Sequence, residues 1–170
     1  MTKRRWRMAA VGLALALPAQ AQDPRKPRAV PVAPQAVTSP LKPIYRVPGV
    51  RDNGAADNAG LATIFSCSSF SAVDENIRFV VRQFEGSIVK DATFLIGARD
   101  NVTASTHSTI SFADDVNLQT GELFQGTASI SATSVNIHCS AILLDASAAI
   151  PNFAVALPTV RLNQAPGTHE

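Results

Sequence analysis

The sequence predicts an all-β domain, a sandwich or barrel of short strands. Nowhere do apolar residues recur at the three-and-four spacing of a long amphipathic helix. Short alternating or apolar runs appear instead, punctuated by glycine, asparagine, aspartate and serine. The only two cysteines, Cys67 and Cys139, each fall in or beside such a run.

Residues 61–65 (LATIF) lead into Cys67 as an early strand. Ile77, Phe79 and Val81 alternate with Arg78 and Arg82, giving one buried and one wet face. Glu85, Gly86 and Ser87 supply a hairpin turn into Ile88 and Val89. Residues 93–96 (TFLI) are expected to form a short buried strand. Thr109 and Ser111 alternate with Ile110 and Phe112, which predicts another. A polar stretch opens at Asp114 and Asp115 and closes at Thr120 and Gly121, a loop with room for one helical turn. Residues 127–133 (TASISAT) set small polar side chains against Ala128, Ile130 and Ala132. Val135, Ile137, Cys139, Ala141 and Leu143 alternate with Asn136, His138 and Ser140, the clearest strand of the chain. Residues 155–160 complete the series, with Pro158 arguing for a sheet edge. Seven or eight strands result, with no internal repeat.

The two ends read differently. Residues 1–21 have the three parts of a secretory signal peptide: a basic head (Lys3, Arg4, Arg5, Arg7), an apolar run (MAAVGLALAL), and small residues at Ala19 and Ala21. The apolar run is about half the roughly 20 residues that a membrane span requires, so no transmembrane segment is expected in the mature chain. Export, to the periplasm or beyond the cell, is the expected localisation. Residues 22–48 hold seven of the 11 prolines and read as a disordered, basic, proline-rich linker. Residues 49–170 are then the β domain, of ordinary single-domain size.

Charge excludes one class of partner. The chain has 15 basic and 13 acidic residues. Four of the bases lie in the signal peptide, and five more lie in the linker against Asp23 alone. The domain keeps Arg51, Arg78, Arg82, Lys90, Arg99 and Arg161 against twice as many carboxylates. A nucleic-acid binder carries its basic footprint on the folded part, so no nucleic acid is expected. With Trp6 in the signal peptide and Tyr45 in the linker, the domain also lacks the stacking surfaces of a carbohydrate-binding module.

In an exported chain, Cys67 and Cys139 are expected to form a structural disulfide. Free buried thiols and a redox pair are the alternatives. A redox pair normally shows a C-x-x-C motif, which the sequence lacks. A bond between an early and a late strand resembles the pin between the two sheets of immunoglobulin domains. The domain departs from that class in having no Trp to pack on the bridge, and Ile137 where a Tyr would stand. The combination Tyr45-Arg46-Val47-Pro48-Gly49-Val50, then Cys67, then Ile130-Ser131-Ala132-Thr133 with Cys139-Ser140-Ala141, resembles small exported bacterial proteins of unknown function with a single immunoglobulin-like β-sandwich. That resemblance implies a fold and an exported location, and no catalytic residue.

Candidate chemistry is sparse. His107, between Thr106 and Ser108 with Ser105 and Asp100 nearby, suggests a Ser-His-Asp arrangement, but strand neighbours point to opposite faces and no G-x-S-x-G elbow exposes a nucleophile. His138 is expected on the wet face of its strand, and His169 in a polar tail. Residues 52–58 (DNGAADN) offer oxygen ligands and a glycine turn without the spacing of a calcium loop; Asp114, Asp115 and Glu122 form a second acidic group. Asp74 and Glu75 read as a solvated turn, and Asn101-Val102-Thr103 matches a glycosylation sequon. The sequence therefore predicts no catalytic, cofactor or metal site. It points to a non-enzymatic exported protein with a binding or structural role toward an unidentified protein or envelope partner. A hydrolase using His107, or a calcium or small-ligand module, is the alternative.

Overall fold

The computed structural model describes residues 40–113 and 115–162. The expected signal peptide, residues 22–39 of the expected linker, Asp114 and His169 lie outside them. Ten strands and no helix make up the described residues: β1 (Lys42–Asp52), β2 (Leu61–Ser69), β3 (Glu75–Arg82), β4 (Ile88–Ile96), β5 (Asn101–Ser105), β6 (Val116–Asn117), β7 (Leu123–Ala132), β8 (Ile137–Asp145), β9 (Ala154–Ala156) and β10 (Val160–Arg161). They form two five-stranded sheets, ordered β10-β1-β7-β3-β4 and β6-β5-β2-β8-β9. Every pairing is antiparallel except the short β5–β6 contact.

The alternation read from sequence sets the inner faces. Ile77, Phe79 and Val81 of β3 and Ala128, Ile130 and Ala132 of β7 are fully buried, in register with one another (Ile77↔Ala132, Phe79↔Ile130, Val81↔Ala128). Phe65 of β2 packs across the gap on Phe79, with ring centroids 5.7 Å apart. One core is thus shared by both sheets. β2 is buried on both faces. Ala62 and Ile64 point away from the main core into a smaller cluster with Leu144 and Ala146, which accounts for the unbroken apolar run LATIF.

Several expectations change. Residues 42–48, read as the end of the linker, are the first half of β1. Ile44, Tyr45 and Val47 are buried there, and the strand pairs with β7 along its length. Pro43 and Pro48 are accommodated next to register shifts in the β1–β7 pairing, and β10 is in register with β1 only at Tyr45 and Arg46. Gly49 occupies one of those shifts at φ 79°, a conformation that only glycine adopts without strain. Residues 93–96 belong to β4, an edge strand in which Thr93 and Leu95 are exposed. Residues 109–112 form no strand: the strand is β5, just upstream, and Ile110 N–H instead donates to Ala146 O at 3.0 Å. Residues 155–160 divide between β9 and β10, which edge opposite sheets, with Pro158 in the crossing. Glu75 is buried rather than solvated, accepting hydrogen bonds from Ser71 Oγ (2.7 Å) and Thr133 Oγ1. The strand count exceeds seven or eight because β1, β5 and β6 were not read as strands and residues 155–160 divide in two, which outweighs the merging of residues 88–89 with 93–96 and the loss of 109–112.

Cys67 and Cys139 are disulfide-bonded. They are direct partners on β2 and β8, with Cα atoms 4.1 Å apart, so the bond lies within one sheet. It does not pin the two sheets together as the immunoglobulin comparison implied.

Candidate functional site

Two places gather polar or apolar groups in a way the strands alone do not require. The first lies where β1 ends. Asp52 closes β1 at 2% exposure, and His107, at 6%, follows β5 in the other sheet. His107 Nδ1 lies 2.8 Å from Asp52 Oδ2, and His107 Nε2 lies 2.9 Å from the carbonyl of Ala59. Thr120 Oγ1 donates to the same Asp52 oxygen at 3.3 Å, and Gly54 N–H donates to Oδ1 at 2.8 Å. Both ring nitrogens therefore face protein oxygens.

Local sequence explains the arrangement. Asp52, Asn53 and Gly54 are turn formers whose side chains cap nearby backbone groups. Asn53 Oδ1 takes Leu61 N–H at 3.0 Å, and Asp57 Oδ1 takes Ser108 N–H at 3.2 Å and Asn117 Nδ2 at 3.1 Å. Gly60 sits at φ 67°, where an added Cβ would fall 2.2 Å from the Asn53 side-chain nitrogen, so any other residue is strained there and must displace that side chain. A shallow hollow of about 370 Å³ opens beside the pair, walled by residues 54–57, His107, Gln119 and Gly121. Gln119 holds a left-handed conformation there at φ 51°.

This geometry separates residues that the sequence had placed together. Asp100, the carboxylate upstream of His107 in the chain, caps its own turn through Asn101 N–H. Ser105 Oγ reaches Val116 O at 3.5 Å, and Ser108 Oγ accepts from Asn117 Nδ2 at 2.9 Å. The partner of His107 is Asp52, 55 positions away. No sequence signal joins the two, because the contact arises from the meeting of two sheets. With Nε2 bound to a main-chain carbonyl, the ring has no free nitrogen to accept a proton from a nucleophile. The carboxylates of residues 52–58 are likewise turned to protein donors rather than toward a common point. Among the described residues, no three His, Cys, Asp or Glu side chains converge as metal ligands. In the second acidic group, Asp115 Oδ2 accepts from Thr103 N–H at 2.7 Å.

The second place is apolar. Residues 146–153 form a loop after β8, held by one carboxylate: Asp145 Oδ1 accepts from Ser147 N–H (3.0 Å) and Oγ (2.6 Å), and Oδ2 accepts from Asn152 Nδ2 (2.6 Å). The Ser147 hydroxyl foremost, then its amide and Asn152, lowers the Asp145 carboxyl from 3.8 to about 2. The loop is joined to the segment after β5 by Ile110 N–H to Ala146 O and by Ser111 Oγ to Ala148 O at 2.6 Å. On this joined pair, Ile150 is 87% exposed, and Ile110, Phe112 and Phe153 also stand in solvent. Sequence reading had placed Ile110 and Phe112 in a strand, so this feature was not visible there.

His138 lies on the wet face of β8 as expected. Phe70 meets its ring edge-on, and the Arg161 guanidinium approaches it at 3.4 Å. Arg161 also donates to Tyr45 Oη and to Val135 O, spanning from β10 to the β7–β8 turn. Asn101 of the sequon opens β5 and is exposed.

Comparison with protein-family models, characterised proteins and solved structures finds no match to this chain.

Proposed function

We propose that this is an exported, non-enzymatic β-sandwich protein that binds a protein or envelope partner through the joined loops at residues 110–112 and 146–153. The observation that carries the proposal is the exposure of Ile110, Phe112, Ile150 and Phe153 on two loops that are fixed to each other and to β8. Large apolar side chains held in solvent on an ordered scaffold mark an interaction site, because their burial in a complex recovers apolar area with little ordering entropy. The Asp52–His107 pair supports the non-enzymatic half of the proposal, since both ring nitrogens are already spent on holding a loop. Export is supported by the basic head, apolar run and Ala19-Gln20-Ala21 of the sequence, together with the disulfide. The resemblance to small exported bacterial proteins with an immunoglobulin-like domain belongs to the same proposal, with the within-sheet bond as a departure from it.

The test uses the mature protein and the double variant Ile150→Asp/Phe153→Asp as baits on envelope fractions. Saturable capture by the wild type, lost in the variant at unchanged Tm, is expected. Equal capture by both, or a turnover abolished by a single non-core substitution, overturns the proposal. The hollow beside His107 favours a small-ligand module as a second reading. That reading requires a Tm that rises with an added ligand such as calcium.

A further inference from the structure

The outer face of the β10-β1-β7-β3-β4 sheet is basic, in a folded region whose carboxylates outnumber its bases. β7 runs through the middle of this sheet. It sends Ala128, Ile130 and Ala132 into the core, so Thr127, Ser129 and Ser131 lie on the outer face. The strands on either side add an arginine at every second step. Arg78 of β3 stands opposite Ser131, Arg46 of β1 opposite Ser129, and Arg82 of β3 opposite Thr127. Arg51 continues the series, exposed between buried Val50 and Asp52 of β1. Arg78, Arg46 and Arg82 therefore alternate from side to side of β7, with a step of about 6.8 Å along it. Their strands lie roughly 10 Å apart across it. Asp91 is the one strand carboxylate on this face, at its margin opposite Val80. Arg78 already holds Asp91 through two hydrogen bonds of 2.7 and 2.5 Å. Arg46, Arg51 and Arg82 form no salt bridge among the described residues.

We propose that this face binds a linear polyol-phosphate polymer, laid along β7 with successive phosphates on alternate sides, at a surface separate from the joined loops. An extended chain advances roughly 3.5 Å for every three backbone bonds, so a polymer with one phosphate diester per six bonds repeats at about 7 Å. That repeat matches the step of the arginines along β7. A guanidinium grips a phosphate through two parallel N–H donors, which a lysine cannot do. Between the arginines the floor is made of the Thr127, Ser129 and Ser131 side chains, whose hydroxyls suit the oxygens of a polyol. A protein partner needs an apolar centre to its interface, and the centre of this face is Ser and Thr. A nucleic acid has the same six-bond backbone, but its bases need rings to stack on. Residues 127–131 (TASIS) supply none. With Arg78 held by Asp91, three guanidiniums remain to neutralise phosphates, those of Arg46, Arg51 and Arg82.

The experiment is calorimetric titration of the mature chain with poly(glycerol phosphate) at several salt concentrations. Saturable binding is expected, with log K falling against log salt at a slope of about −2, as three neutralised phosphates require. Arg46→Glu and Arg51→Glu, both at exposed positions, should each weaken binding at least about tenfold at unchanged Tm. Asp91→Asn should tighten it, because the one opposing charge goes and Arg78 is released. Arg99→Glu makes the same charge change in the β4–β5 turn, off this face, and should leave binding as in the wild type. No binding, or equal losses in Arg99→Glu and Arg46→Glu, overturns the proposal. Two further titrations cover the other anionic partners. Tighter binding of single-stranded oligothymidylate overturns the proposal in favour of nucleic acid. Binding of phosphatidylglycerol vesicles without binding of the polymer overturns it in favour of a membrane surface.

Discussion

At the scale of single residues, the chain places its buried polar groups where backbone loops must be held. Asp52 and His107 are both nearly fully buried, and they meet each other at 2.8 Å. Removing one member of such a pair strands the other, so His107→Ala and Asp52→Ala should each lower unfolding stability by about 3 kcal/mol in urea. The double variant should lose less than the sum of the two. Two exactly additive losses, or none, would remove the pair from the account. Asp145 acts at longer reach. Its carboxyl sits at about 2 in the fold, against an ordinary 3.8, because Ser147 and Asn152 donate to its charged form. Between those values the unfolded chain binds the proton and the folded one does not, so stability rises with pH through that window and is lost as pH falls toward 2. Carboxyl NMR should give a midpoint near 2, and Asp145→Asn should flatten this part of the acid dependence. A midpoint near 3.8 would show that the 146–153 loop is not fixed as described. None of these three roles was legible in the sequence. The partner of His107 is 55 positions away, and a lone Asp at the end of a strand looks like any other turn former.

At the scale of elements, periodicity was readable where a strand has one buried face, and misleading where it does not. The alternations in β3, β7 and the first half of β8 appear as read, because one face meets the core and the other meets water. The apolar run of β2 was legible for a different reason, since both of its faces are covered. β1 was missed because Pro43 and Pro48 argued against a strand, and the sequence does not show that they fall beside register shifts in the β1–β7 pairing. The alternation at residues 109–112 was over-read, since alternation without a pairing partner makes no strand. β1 makes the test of this scale. Ile44 is fully buried in the segment that composition assigns to a linker. Ile44→Ala should therefore cost about 3 kcal/mol of stability, the usual range for a buried aliphatic truncation. An unchanged denaturation midpoint would return residues 42–48 to the linker.

At the scale of the whole molecule, the disulfide and the loop pair define what the sandwich can do. The bond joins positions 72 apart but adds no new pairing, because β2 and β8 are already matched over nine residues from Leu61↔Asp145 to Ser69↔Ile137. Its contribution is thus chiefly to the unfolded chain, roughly 4 kcal/mol in the chain-entropy description. Cys139→Ala should lower Tm and raise protease sensitivity while leaving the far-ultraviolet sheet signal intact; equal Tm values would contradict this. That an all-β chain with a cysteine pair would fold as two packed sheets was legible from composition and spacing. That the bridge lies within one sheet was not, since strand order is invisible to local pattern. The central claim is that this scaffold exists to present Ile110, Phe112, Ile150 and Phe153 to a partner outside the cytoplasm. It is tested most directly by placing a photo-reactive residue at position 150 of the full chain in its native cell, with position 125 on the far sheet as control. The account predicts one discrete adduct from position 150, found in the exported fraction and absent from position 125. No adduct from position 150, or adducts only with cytoplasmic proteins, would contradict it.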